Sequence, residues 1–421
     1  MVSDPGEALI GFALGDVAPS ARAHRVVEMS LADWAACGIA GFEEGTFTHW
    51  VAQQRAPGPA PTFAGKPQTA GAAALVNGTL SHALDFDDTH FGHIGHPSVV
   101  ILPAVLAAGP ASWDDLCAAA LVGMEASVRV GIWLGPRHYE DGFHMTATAG
   151  AFGAALGLAR GRRMSPDQAR HGMGLTASQA AGLKAQFGTM GKPLNAGLAA
   201  RAGLEAMTWA SGDTTGARSG LGRFAAAHGG PRTAGAFDGL GRDWLIERLS
   251  YKLHACCHGL HAMLEALRHL PLRGQLARLT VRTHPKWLKV CAIPEPETGL
   301  EAKFSYAHTA AMALSGIDTG RIGNFADELA RDASLRTLRR KVAVVGDDSL
   351  SDMQCAVTLT DGAGTREARH DLAISPDLDD LAARLRTKAD GLIGPERAAG
   401  LWRAVDAGDL NGYLVAAFGA G

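Results

Sequence analysis

Between Asn77 and Ala107 the chain reads NGTLSHALDFDDTHFGHIGHPSVVILPAVLA, which gathers Asp85, Asp87, Asp88 and Thr89 with His82, His90, His93 and His96 ahead of an apolar run. A surface loop has no need of so many titratable side chains. A buried polar pocket does, because its groups must satisfy one another and pass protons between them. Acid–base chemistry on a small carboxylate asks for a base near neutrality, a proton donor, and cations to hold the anion. His96, ahead of Pro97, and His144, in GFHMT, can supply the first two, while Lys192, before Pro193, and Lys252 can supply the cations. Asp85, between Leu84 and Phe86, is expected to be partly buried.

Each of these residues also has a plainer role. His96 could brace the helix that follows, His144 could be a satisfied core imidazole, Asp85 could cap a helix, and Lys192 could be an ordinary solvated lysine. Histidine and aspartate are metal-ligand types, but the chain has no HExxH and its cysteines lie elsewhere, so no metal is expected. Cys256-Cys257-His258 sets thiols beside an imidazole with no local Asn or Asp to complete a triad. GLARGR and GDTTGARSGLG match neither GxxxxGK[ST] nor a strand-anchored GxGxxG, so no cofactor is expected either.

The elements that must position these residues are mostly helical. Residues 7 to 20, Ala21 to Gly38, Thr69 to Asn77, Val99 to Ala108, Trp113 to Val130, the GFHMTATAGAFGAALGLARG segment, the stretch begun by Ser165-Pro166, and the run after Lys192-Pro193 all carry helical spacing or helix-start signals. Residues 57 to 70 read as a Pro/Gly-rich turn region and 131 to 142 as irregular. Strand periodicity begins only after Gln275, in LARLTVRTH, KVAVVGDD, Cys355 to Leu359 and Glu367 to Asp371. Helices return at Leu378 to Ala389, Pro395 to Ala404 and Tyr413 to Phe418. The expected fold is mainly α: a large all-helical domain (1–265), a smaller α+β domain (266–375) inserted before the C-terminal helices, and those helices (376–421) returning to the first domain. The strand-free first part argues against a doubly wound nucleotide-binding sheet.

Composition narrows the class further. The 421 residues are 47% hydrophobic and 19% charged, with net charge -3 and dispersed basic residues, which fits a packed core and no nucleic-acid surface. Fifty-three glycines with only 6% aromatics point to closely approaching helices. Six cysteines without CxxC spacing suit a reduced compartment, and MVSDPGEALIGFALG has no basic lead into an apolar segment. A cytoplasmic protein without a membrane partner is the default expectation.

Several blocks in order then resemble the MmgE/PrpD family, which includes 2-methylcitrate dehydratase, cis-aconitate decarboxylase and iminodisuccinate epimerase. They are ADWAACGIAG, HALDFDDTH, HPS, GFHMTATAGAFGAALGLARG, KPLNAGLAARAGLEA, YKLHACCHGLH and EAKFSYAH, covering roughly residues 20 to 315. The resemblance implies a cofactor-free homodimeric enzyme with a large helical domain and a smaller α+β lid. It places pocket residues at Asp85, Thr89, His96, His144, Lys192 and Lys252, with His93, Tyr139, His258 and His308 as substrate contacts. His93 rivals His96 because the Thr89 to His96 spacing is one residue longer than in the decarboxylase branch. His308 stands where that branch has a tyrosine. Lys252 is followed by Leu-His-Ala rather than a Pro-containing turn. The expected activity is a lyase, dehydration first, on a small di- or tricarboxylate. The alternatives are epimerisation of an amino- or imino-dicarboxylate such as iminodisuccinate, cis-aconitate-type decarboxylation, and a non-catalytic binding protein.

Overall fold

The computed structural model describes residues 5–229 and 233–419, and in it small residues sit where helices cross. Helix Ala70–His82 meets helix Gly191–Ser211 at Gly78 and Gly197: a Cβ on Gly78 would lie 2.8 Å from the Gly197 Cα, and one on Gly197 would lie 2.2 Å from the Leu75 carbonyl oxygen. Helix Trp113–Glu140 meets helix Met145–Gly161 in the same way, a Cβ on Gly153 falling 2.5 Å from the Gly123 carbonyl oxygen. No side chain fits at either crossing, so the backbones touch. One consequence is positional. His82, in the last turn of the first helix, and Lys192 and Asn195, in the first turn of its partner, finish at the same end of their crossing.

The chain is mainly helical, with one four-stranded sheet among the described residues. It divides into two compact units, Met1–Tyr251 with Leu385–Gly421, and Lys252–Arg384. On sequence alone the divisions fall at 265/266 and 375/376. The contacts move the first one earlier because helix His261–Arg268 buries its apolar face on the strands of the second unit, and the later one lies inside helix Leu378–Ile393.

In the first unit, Trp34, Leu80, Ile101 and Phe152 are among the fully buried side chains. Two local expectations change. The turn region holds a short strand, Pro57–Ala60, bridged to Gln68. The segment from 131 is helical to Glu140, broken only at Gly135 (φ 78, ψ 170) before Pro136, where a missing N–H and a ring clash interrupt the ladder. Helix Trp113–Glu140 is long and apolar enough to span a membrane by length and composition, yet 89% of its apolar window is buried inside the protein. Its Arg129 and Glu125 form a buried pair (2.6 Å), and Arg129 also donates to the Ala236 (3.0 Å) and Asp238 (2.6 Å) carbonyls, fixing the loop beyond. Helices Pro395–Ala407 and Leu410–Phe418 return to this unit, with the Tyr413 hydroxyl donating to the Leu31 carbonyl at 3.0 Å.

In the second unit the sheet order is Val342–Gly346, Arg278–Thr283, Gln354–Asp361, Gly364–Asp371. The first pair is parallel and the other two antiparallel. Alternation puts Leu279, Val281 and Thr283 of one strand, and Cys355, Val357 and Leu359 of its neighbour, on the buried side.

Candidate active site

Beyond His82 the helix stops and the chain makes an unusual turn. Asp85 adopts a left-handed conformation (φ 50), its N–H donating to the His82 carbonyl at 3.1 Å, and aspartate is among the few non-glycine residues that tolerate this region. The turn sends consecutive acids into different surroundings. Asp85 keeps 49% of its side chain exposed and its Oδ1 receives the Lys192 ammonium at 2.7 Å. Asp87 is fully buried between two imidazoles: its Oδ1 accepts from His82 Nδ1 at 2.9 Å, and its Oδ2 lies 2.8 Å from His96 Nδ1, an ion-pair distance whose angle misses a regular hydrogen bond. His96 Nε2 in turn is 3.7 Å from Asp85 Oδ1. Asp88 turns into the core, accepting from the Ser98 N–H (3.2 Å) and the Ser30 hydroxyl (3.4 Å).

His144 closes the group from the start of helix Met145–Gly161. Its ring stacks over His82 at 6.2 Å, meets the edge of Phe187 at 5.1 Å, and its Nδ1 is 3.3 Å from Asn195 Nδ2. Phe187 also faces Lys192, whose Nζ is 5.4 Å from the ring centre. The ammonium, three imidazoles and two carboxylates therefore share one neighbourhood.

Burial controls their protonation. For Asp87 burial opposes ionisation, but His82 and then His96 outweigh it and hold the carboxyl well below the usual range, so Asp87 is a carboxylate. Burial and the adjacent Asp87 charge push Asp88 up to about 8. Burial lowers His96 to about 4 against the pull of Asp87. His144 falls to about 2 through burial and then the neighbouring His82 and Lys192. At neutral pH the run thus carries one buried carboxylate and one buried carboxylic acid, facing two neutral imidazoles able to accept a proton.

The other residues singled out in sequence are placed as follows. Thr89 forms a two-way backbone bridge with Ser250 (2.7 and 2.8 Å), and its hydroxyl donates to the Ser250 carbonyl at 3.3 Å. His93, the rival of His96, turns away: Ile94 between them is left-handed (φ 54), and His93 is fully buried against Gly131 and Gly95 with neither ring nitrogen hydrogen-bonded. The structure therefore gives the position beside Asp87 to His96. Tyr139 is half-buried at the margin, 6.4 Å from Phe187, with Lys184 Nζ 3.7 Å above its ring. Lys252, His258 and His308 belong to the second unit. There Lys252 is buried, the His258 ring lies 4.5 Å from that of His261 at a 42° tilt, and His308 is fully buried with both ring nitrogens unbonded and lowered to about 4 by burial and then Arg339.

Asp85 is the half-exposed partner of Lys192, and Asp87 is the fully buried acid of the run. His82, Asp87 and Asn195 complete the cluster without having been assigned a place in it, although His82 and Asp87 stood in the same dense stretch. His82, Asp85, Asp87 and His96 bring one donor atom each within 4.8 Å of one another, a spacing open to a divalent ion. The donor set is already engaged, however, since Asp87 faces imidazoles through both oxygens and Asp85 holds an ammonium. A second cation would meet the Lys192 charge; an anionic ligand would meet attraction.

A model of the MmgE/PrpD N-terminal domain matches residues 14–224, and one of the MmgE/PrpD C-terminal domain matches residues 254–395. The cis-aconitate decarboxylase of Aspergillus terreus is 31% identical over 220 residues, 47% of this chain and 45% of that protein. That of Mus musculus is 27% identical over 331 residues, 70% of this chain and 65% of that protein. That of Homo sapiens is 32% identical over 142 residues, 32% of this chain and 29% of that protein. By the first of these, the chain spans about half the length of the curated relatives it matches.

Proposed function

The chain belongs to the MmgE/PrpD family, and from that premise we propose that it is a cofactor-independent lyase acting on a small di- or tricarboxylate, with dehydration as the reaction. One observation carries the reading: the Lys192 ammonium, on half-exposed Asp85, stands beside the neutral imidazoles of His96 and His144. A substrate carboxylate takes Lys192 as counter-ion. The negative charge it brings favours the protonated forms of nearby imidazoles, so His96 or His144 becomes a stronger base once substrate is bound. Removing the proton beside the carboxylate builds enolate-like charge, which Lys192 stabilises, and Asp87 balances an imidazolium formed on His96. Loss of the β-hydroxyl as water, protonated as it departs, completes dehydration.

Decarboxylation is the second reading, favoured by the names of the relatives above. It uses the same cation and loses carbon dioxide in place of water. The test is a panel of methylcitrate, citrate, cis-aconitate and iminodisuccinate in deuterated water, following double-bond formation, carbon dioxide and deuterium uptake. Water loss supports the proposal, and carbon dioxide release supports the second reading. Deuterium uptake without mass loss points to epimerisation, and binding without any of the three marks a non-catalytic protein.

A further inference from the structure

Lys388 comes from helix Leu378–Ile393, remote in sequence from the acidic run, yet its ammonium is buried against that run. Its Nζ donates to the Phe86 carbonyl oxygen at 2.6 Å and to Asp33 Oδ1 at 2.6 Å, and stands 4.2 Å from the centre of the Phe86 ring. Asp33, on helix Ala21–Glu43, is 4% exposed and Lys388 is 6% exposed. Desolvating an ammonium and a carboxylate is costly, and apolar residues of similar volume commonly fill such a space as well or better. Core filling therefore does not account for the pair.

What the pair grips does. Phe86 lies between the two acids that must diverge, with left-handed, half-exposed Asp85 on one side and buried Asp87 on the other. An ammonium bonded to the Phe86 carbonyl and seated against its ring fixes both the peptide plane and the side chain of that residue. With Phe86 held, the neighbouring carboxylates have defined directions. We propose that Lys388, itself held by Asp33, is a positioning residue of the active site, locking the Phe86 peptide so that Asp85 meets Lys192 while Asp87 meets His82 and His96. Its effect on turnover rests on the lyase reading above; its effect on the acids does not.

Three measurements on two variants test it. K388M leaves the Asp33 charge buried alone and is expected to lose melting temperature and activity together. D33L/K388M removes both charges and is expected to recover the melting temperature without restoring the grip on Phe86. In ligand-free wild type, the His82 Nδ1–H bonded to Asp87 should give a downfield, slowly exchanging proton resonance. In D33L/K388M that resonance should broaden or vanish, and kcat should fall by about 10- to 100-fold while KM moves less than about threefold. A double variant that keeps both the resonance and the wild-type kcat overturns the proposal, making Lys388 a core residue only. Loss of the resonance in a chain whose wild type turns over no acid in the panel upholds the positioning role and sinks the lyase reading alone.

Discussion

Two clusters of imidazoles and carboxylates, one in each unit, are built from the same residue types and differ in how their polar atoms are partnered. In the second unit His254 is satisfied on both ring nitrogens, by Thr319 Oγ1 at 2.7 Å and Glu265 Oε1 at 2.9 Å. Glu265 accepts in addition from Arg268 (2.9 Å) and Arg384 (3.1 Å), and although burial opposes it, His254 and then Arg384 keep its carboxyl below the usual range. In the first unit Asp85 is half open to solvent and His82 Nε2 is buried with no hydrogen-bond partner. The His254–Glu265 pair has its polar atoms met, whereas the group around Asp85 and His82 leaves some of its own unmet. Residue type alone does not separate the two.

The sharpest way to break this contrast is to change one member of each cluster. H144N and K192M should each lower kcat/KM by about 10²- to 10⁴-fold with the melting temperature held within a few degrees, because each removes a group aimed at substrate. R384M should do the reverse. It strips a partner from a buried carboxylate, so denaturant titration should show a loss of about 2–4 kcal/mol while turnover per folded molecule stays within about twofold. Turnover abolished by R384M in a fully stable protein would erase the distinction.

Titration gives a smaller effect with a definite sign. His96 sits at about 4, so the acid limb of kcat/KM should fall near pH 4 rather than near the ordinary histidine value of about 6.5. His90 and His138 are lowered to about 4, mainly by burial, and His144 to about 2. As pH drops below about 6.5 the unfolded chain binds protons that these native imidazoles refuse, so stability falls by about 1.4 kcal/mol per pH unit for each. Asp88, raised to about 8, works the other way: it keeps its proton in the fold between about 4 and 8, where the unfolded chain gives it up, so its contribution declines as pH rises. The imidazoles outnumber it below 6.5 and are silent above. Denaturation midpoints should therefore peak near pH 6.5 and decline more steeply on the acid side.

Much of this was legible in the sequence, for physical reasons. Helix positions followed from apolar spacing and helix-start signals; Ser165-Pro166, for example, marked a helix start, where the structure shows Ser165 and Gln168 in a capping box. The strands after Gln275 showed because their burial alternates, as at Leu279, Val281 and Thr283. The divergence of Asp85 from Asp87 was not legible, since it depends on one left-handed residue and on a lysine some three hundred positions away. Nor was the direction of His93. A left-handed β-branched residue such as Ile94 is too rare to expect from its own sequence.

His93 provides the finest test of the contrast, because it compares two histidines of one loop. A Cβ on Gly131 would fall 2.0 Å from its Nδ1, and one on Gly95 would fall 2.8 Å from its Nε2, so the ring fills a niche closed on both sides. Burial, followed by the neighbouring His90 and His96, pushes it well below the ordinary range, leaving a neutral imidazole whose N–H has no acceptor. An unpaired buried donor costs about 1–3 kcal/mol, which offsets much of what the ring gains by packing. H93L removes that donor and keeps most of the volume. Its stability should therefore change by less than about 1 kcal/mol in either direction, and its kcat should stay within about twofold. H96L, three positions on, takes the imidazole from Asp87 and should lower kcat by about 10²-fold or more. The reverse outcome, turnover lost in H93L and kept in H96L, would move the working histidine to the other side of Ile94.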